Sequence, residues 1–402
     1  MKRNIFIHIG SLSSTKTADG LIDPKLVLAW LMNAIGAQGY LIGLLVPVRE
    51  AGSLLPQLLL ARRVEHSAIR KYYWVAGSVV QGLAAFGIAA SALLLPGQSA
   101  ALLIVGCLAV LAVARSACSV SYKDVLARTV EKGQRGRVSG AASTISAIAV
   151  FAFAILLATG TLPREPSYVA GAIAVAGVLW LFAAGLFSTL RERVDKGAEA
   201  SEDALGDLVR PLQEDAELRS YIATRALLIS TALAPPFLVL LGSDRGAEFG
   251  NLGLLLLASS IAAIVSAYVW GASSDRSSRK TLILAGLLAA LSYAAAAVWG
   301  LTEADAVGGP IVAGFVFAAQ IAYEGARAGR KTHLTDMDTG GRKAVYTALS
   351  NSLIGLLLLA GGLLGLLADV AGPEGVLALL ALMSGASVFT GTKLSEVQRE
   401  KD

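Results

Sequence analysis

Residues 252–300 read LGLLLLASSIAAIVSAYVWGASSDRSSRKTLILAGLLAALSYAAAAVWG, two long apolar runs joined by a short basic hinge. Each run has roughly the 20 residues that a helix needs to cross a ~30 Å hydrocarbon core. Lipid offers no partner for a free N–H or C=O, so such runs span as helices. The pattern is not local. Of 402 residues, 55% are hydrophobic and only 16% charged, and the mean hydropathy is +0.65. One soluble core cannot absorb so many unbroken apolar stretches. The chain is therefore expected to be an all-α, polytopic membrane protein.

Working outward from that pair, polar and Gly/Pro breaks divide the chain into twelve expected spans: 4–32, 38–61, 71–94, 99–122, 137–159, 167–189, 217–241, 247–271, 280–300, 308–328, 342–367 and 373–392. The first is the least defined, because hydropathy alone would make 26–48 one span. Lys2 and Arg3 are basic, as are Arg62, Arg63, Arg70 and Lys71, and placing both groups on one side requires an even number of crossings between them. Of the 34 Lys and Arg, Arg164 and Arg245 fall on the far side and Lys16, Lys25, Arg49, Arg115 and Arg225 inside spans. All the rest share the side of the termini, which the positive-inside rule makes the cytoplasm. A bacterial inner membrane is the expected location.

The longest polar stretch, 190–216, separates an expected six-helix unit, 1–189, from another, 217–402. Ser201, Glu202 and Asp203 read as a helix start, and Leu205, Leu208, Val209 and Leu212 recur at helical spacing, so a short amphipathic helix is expected in this linker. The net charge of +5 is spread over alternate loops rather than one face, which argues against nucleic acid. Cys107 and Cys118 lie eleven residues apart in one expected helix, roughly 16 Å at 1.5 Å per residue, too far to pair. The Met1-Lys2-Arg3 start mimics a signal peptide, but its apolar run is too short for cleavage to be expected.

The hinge Gly271-Ala-Ser-Ser-Asp275-Arg276-Ser-Ser-Arg279-Lys280 resembles the signature loop of the major facilitator superfamily, which joins the second and third helices of each half. Its first-half counterpart runs from Ala61 to Lys71. The basic pair survives there, while Arg62 and His66 stand at the glycine and aspartate positions. Lys71 and Lys280 lie 209 residues apart, and the same offset sets Lys16 opposite Arg225, each after a threonine, and Arg115 opposite Glu324. The resemblance implies two parallel six-helix halves in a pseudo-twofold arrangement. It also implies a gate, with Asp275, Arg276 and Arg279, beside Lys280, latching to Glu324 and Arg327. The alternative is a positive-inside loop with a helix cap.

Ionisable groups at mid-membrane depth cost at least ~2.5–3.5 kcal/mol each on insertion scales, so they usually face a cavity and pair. The first half concentrates them. Lys16, Asp19 and Asp23 share a helix face at spacings of three and four, Arg49 and Glu50 sit in span 2, and Arg115 in span 4. The 209-residue offset carries Arg49 and Glu50 to Ala258 and Ser259, so the second half does not repeat them. Gly20 and Pro24 weaken span 1, and broken helices at midplane commonly line substrate sites. Two readings stand: static ion pairs, or a proton or substrate site in which Lys16 beside Asp19, or Arg49 beside Glu50, tunes a carboxylate. Arg115 is a substrate contact or a partner of Glu50.

Gly39-x-x-x-Gly43 and Gly361-x-x-x-Gly365 are expected to permit close helix approach, and Pro235-Pro236 to kink span 7. His8, His66 and His333 have no metal-ligand spacing, and no phosphate-binding lysine loop, Ser-His-Asp set or zinc pattern occurs. Neither enzymatic activity nor a metal or cofactor is expected. The expectation is a monomeric, proton-coupled secondary transporter of a polar, zwitterionic, anionic or amphipathic small molecule. An uncoupled facilitator and a non-transporting scaffold or sensor are the alternatives.

Overall fold

The computed structural model describes residues 2–57, 60, 63–64, 67–131, 134–163, 165–192, 205–244, 252–302, 308–337, 339 and 343–398. The expected Ser201 helix start, Arg62, His66, Arg164 and Arg245 lie outside them. Helices α1 (Lys2–Leu21) and α2 (Val27–Ala34) form span 1, and α3 (Gly39–Leu54) is span 2. Spans 3 to 6 are α4 (Lys71–Leu94), α5 (Gly97–Thr129), α6 (Arg135–Ala158) and α7 (Pro166–Ser188). After the linker helix α8 (Leu205–Glu214), α9 (Ala216–Leu227) and α10 (Ser230–Asp244) make span 7. Spans 8 to 10 are α11 (Leu252–Arg276), α12 (Ser278–Leu301) and α13 (Gly308–Asp336). Span 11 joins α14 (Lys343–Gly361) to the first turns of α15 (Leu364–Thr392). There Gly372, at φ 71° and followed by Pro373, turns the chain into span 12. No strand occurs among the described residues.

Among the described residues, eight helical stretches are long and apolar enough to cross a membrane. Spans 1, 2, 10 and 11 miss that standard because they are broken, short or loaded with charge. Large apolar side chains such as Ile148, Tyr268, Leu291 and Phe389 stand 65%, 84%, 62% and 65% exposed on the outer surface, which suits lipid and not water. The chain is an integral, multi-pass membrane protein.

One of the interruptions has a local cause in the sequence, and the other falls away from where the sequence marks it. Pro24 has no N–H and restricts the residue before it, so α1 stops at Leu21 and α2 starts at Val27. In span 7 the helix runs through Pro235 and Pro236 and is broken upstream, at Leu228–Ile229. Three-residue closures, Thr231 N–H to the Leu228 carbonyl and Ala232 N–H to that of Ile229, bridge the gap. The expected kink therefore falls about two turns before the prolines.

Within the halves, α1 packs on α6 and α7, and α4 on α5 and α7; in the second half, α9 and α10 pack on α15, and α12 on α13 and α15. Across the halves, α3 meets α14 and the start of α15, α6 meets α11, and α2 and α3 meet α10. The two Gly-x-x-x-Gly motifs meet each other here. A Cβ on Gly43 would lie 2.6 Å from the Cα of Gly365, and one on Gly365 2.5 Å from the Cα of Tyr40. At α6–α11, a Cβ on Gly253 would lie 2.6 Å from the Cα of Ala158. Tyr40 N–H also donates to Asp369 Oδ2 at 3.2 Å.

The buried core shows how the halves are joined. One continuous cluster fills the end of the bundle remote from the termini and draws on both halves, from Leu28 and Leu45 to Phe237, Leu256 and Leu377. At the end that carries the termini there are two separate clusters. Ile7, Trp74, Val125 and Phe187 belong to the first half, and Leu218, Tyr221, Leu282 and Tyr346 to the second. The halves are thus sealed together at one end and packed independently at the other. The linker helix α8 docks on α9 and α14, where Arg219 Nη1 donates to the Leu212 and Gln213 carbonyls at 3.1 and 2.8 Å.

Candidate functional site

The broken first span places Asp19 in the last turn of α1, facing spans 2 and 4. Its Oδ1 accepts from Arg49 Nη2 at 2.6 Å, and its Oδ2 accepts from Arg115 Nη1. Arg49 is buried at 6% exposure, so the pair with Asp19 replaces the hydration the guanidinium has lost. One carboxylate thus joins three spans of the first half.

This corrects the expected pairings. Arg115 pairs with Asp19 and not with Glu50, and Arg49 turns to Asp19 rather than to its sequence neighbour. Lys16 donates to Ser143 Oγ of α6. Asp23 leaves the shared face altogether: it lies past the end of α1, where its Oδ1 accepts the Lys25 N–H at 2.7 Å and closes the turn into α2. Lys25 itself reaches across to the second half, its Nζ 3.1 Å from the centre of the Tyr323 ring, a cation–π contact.

Glu50 differs from Asp19. Its carboxylate makes no hydrogen bond or ion pair to any described residue, and it lines a cavity of about 70 Å³ between the halves with Leu54, Arg225, Tyr323, Arg327 and Arg330. A vestibule of about 710 Å³ shares Leu54, Arg225, Arg327 and Arg330 with that cavity and extends to Asp275, Lys331 and Asn351. A third cavity, about 270 Å³, lies inside the first half against Lys16, Asp19, Gln81, Arg115 and Cys118. Cys107 and Cys118 are both free thiols.

Arg225 repeats the role of Lys16 in the second half. Its Nη1 donates to Ser350 Oγ at 2.6 Å and its Nη2 to Asn351 Oδ1 at 2.9 Å. The 209-residue offset carries Ser143, the partner of Lys16, to Ser352 in the same helix. The first helix of each half therefore sends a cation to a hydroxyl on the fifth.

The signature hinge is reduced to one residue. Asp275 and Arg276 end α11, Arg279 and Lys280 lie in the first turn of α12, and Ser277 stands between. Ser277 Oγ accepts the Lys280 N–H at 3.1 Å and donates to Glu396 at 2.7 Å, so the cap half of the sequence reading is present. The expected latch is not formed in this conformation. Glu324 pairs with Arg327 of its own helix at 2.8 Å and accepts from Gln320 Nε2 at 3.1 Å. Asp275 makes no ion pair among the described residues.

Ser143, Tyr323, Arg330, Ser350 and Asn351 were not singled out by the sequence. Serine, asparagine and tyrosine carry no charge to mark them inside a span. Arg330 fell beyond the expected end of span 10 at residue 328, whereas α13 runs to Asp336.

No protein-family model and no curated protein matches the sequence. Solved structures do match the fold. A variant of the nucleoside transporter NupG superposes with a TM-score of 0.74 at 11% identity, over 97% of this chain and 99% of that one. A D-xylose–proton symporter gives 0.72 at 10% identity over 98% of each chain. A POT family transporter in complex with 5-aminolevulinic acid gives 0.69 at 11% identity, over 96% of this chain and 95% of that one. With twelve spans in two six-helix halves and these structural neighbours, the chain has the fold of the major facilitator superfamily.

Proposed function

We propose that this protein is a proton-coupled secondary transporter of a polar small molecule, working by alternating access between its two halves. The observation that carries this reading is the core. One apolar cluster unites the halves at the end remote from the termini, while each half keeps its own cluster at the other end. At the termini end, therefore, the two halves can move apart or together without either one breaking its own cluster. The asymmetry of basic residues makes the termini end cytoplasmic, so the vestibule faces inward in this conformation.

Charge placement supports coupling. Protonating Asp19 would cost an ion pair on each oxygen, because Arg49 and Arg115 occupy both. Glu50 lies in the field of the same two arginines but makes no direct pair with a described residue, and it lines the inter-half cavity. In this reading Asp19 is the hub that holds spans 1, 2 and 4 together, and Glu50 takes up the proton. Asp275, Glu324 and Arg327 line the inward mouth, where a latch would close when the cavity faces outward. The nucleoside transporter and the sugar–proton symporter among the structural neighbours agree with this assignment.

The test is reconstitution into liposomes loaded with a pH-sensitive dye, with a panel of labelled polar solutes offered outside. At least one solute is expected to enter and to evoke proton movement in the same experiment. Uptake without proton movement contradicts the coupling and leaves a facilitator. No uptake of any solute contradicts transport.

A further inference from the structure

The cavity between the halves has an imbalance that its own residues do not settle. Arg225 is buried at 8% exposure, yet its partners Ser350 and Asn351 are neutral, as is the Tyr221 hydroxyl beside it, and the formally charged neighbour that acts on it is another cation, Arg330. Its Nε has no hydrogen-bond partner among the described residues. The Arg330 guanidinium likewise makes no hydrogen bond or ion pair to a described residue. The third arginine, Arg327, is already paired with Glu324. Against Arg225 and Arg330 the cavity offers one carboxylate, Glu50, which pairs with neither and which also lies in the field of Arg49 and Arg115 on its other side.

A buried guanidinium without a counter-charge is costly, and an intramembrane charge that its own protein leaves unpaired marks a ligand pathway. A guanidinium has five N–H donors; Ser350 and Asn351 take two of those on Arg225. We infer that the substrate is an organic anion, its carboxylate or phosphoryl oxygens held between Arg225 and Arg330, with Glu50 as the internal carboxylate that competes for the same two cations. The cavity of about 70 Å³ takes the anionic head, and the adjoining vestibule of about 710 Å³ takes the remainder of the molecule. Competition gives the anion and the proton a common interest: protonating Glu50 removes the rival charge, so anion and proton bind together. This inference rests on the transport reading for its purpose, but binding alone tests it.

The experiment is a thermal-shift and calorimetric titration of the purified, detergent-solubilised chain. The probes are matched sets in which one carbon skeleton carries a carboxylate, a phosphate ester, a primary amide or an amine, at constant ionic strength. Acidic members are expected to stabilise the wild type and amides and amines are not. Arg225→Gln is expected to weaken binding of the acidic probe by at least about tenfold, equivalent to ~1.4 kcal/mol, and Arg225→Lys to retain part of it. Glu50→Gln is expected to tighten the same probe at neutral pH, a change that a structural role for Glu50 would not produce. If Arg225→Gln does not yield folded protein, Arg330→Gln carries the same expectation from a partly exposed position. The inference is overturned if acidic probes stabilise the wild type no better than their amides and amines, or if the folded arginine variants bind them unchanged. In that event proton-linked uptake of a neutral or cationic solute would leave the transport reading intact.

Discussion

Asp19→Asn is expected to abolish substrate-evoked proton movement and to lower the melting temperature of the detergent-solubilised protein. Asn keeps the shape of the side chain but leaves Arg49 and Arg115 without their shared counter-charge. Removing one partner of a buried pair costs about 3–5 kcal/mol. The lower end applies here, because the Asp19 and Arg115 side chains are 26% and 37% exposed and solvent screens part of the loss. The effect belongs to the pair rather than to the aspartate alone. Asp19→Asn combined with Arg115→Gln is therefore expected to be less destabilised than the two single changes added together, since contacting residues are not additive. A double variant as unstable as that sum would show that Asp19 and Arg115 act independently.

Gly365→Leu is expected to hold the remote end open and to reduce transport to background. The glycine lies where span 11 crosses span 2, and a Cβ there meets the backbone of Tyr40, with its Cα 2.5 Å and its carbonyl O 2.7 Å away. Backbone atoms cannot swing aside as a flexible side chain can. Overpacking costs about 1–3 kcal/mol even in adaptable cores, and each ~1.4 kcal/mol is a factor of ten in a conformational equilibrium. The conformation without this contact pays none of that cost, so the population shifts toward it. Spin labels at Leu95→Cys and Thr302→Cys, placed on opposite halves at the remote end after replacing Cys107 and Cys118 by Ala, report the shift. Their separation is expected to lengthen in Gly365→Leu. An unchanged distance distribution with normal transport would show that the seam tolerates the side chain.

The fold was legible because lipid leaves few options: twelve apolar stretches, a basic hinge repeated at an offset of 209, and two glycine motifs. The charged positions were also legible, since Lys16, Asp19, Arg49, Glu50, Arg115 and Arg225 are conspicuous inside apolar runs. Which of them pair was not. Helical spacing put Asp23 beside Asp19, but the break at Pro24 took Asp23 out of the helix. Adjacency put Arg49 with Glu50, yet neighbours on a helix point about 100° apart, and the guanidinium found Asp19 on another span. Arg330 was missed because charge near a span end reads as a loop, although α13 carries it into the vestibule. Sequence marks where charge stands in the chain, and three-dimensional packing decides what it meets.

The most direct test of proton coupling at Glu50 compares two modes of transport in one variant. In liposomes containing Glu50→Gln, exchange of labelled for unlabelled substrate across the membrane is expected to persist. Accumulation driven by an imposed pH gradient is expected to vanish, while the wild type shows both. Gradient-driven accumulation retained in full by Glu50→Gln would contradict the assignment.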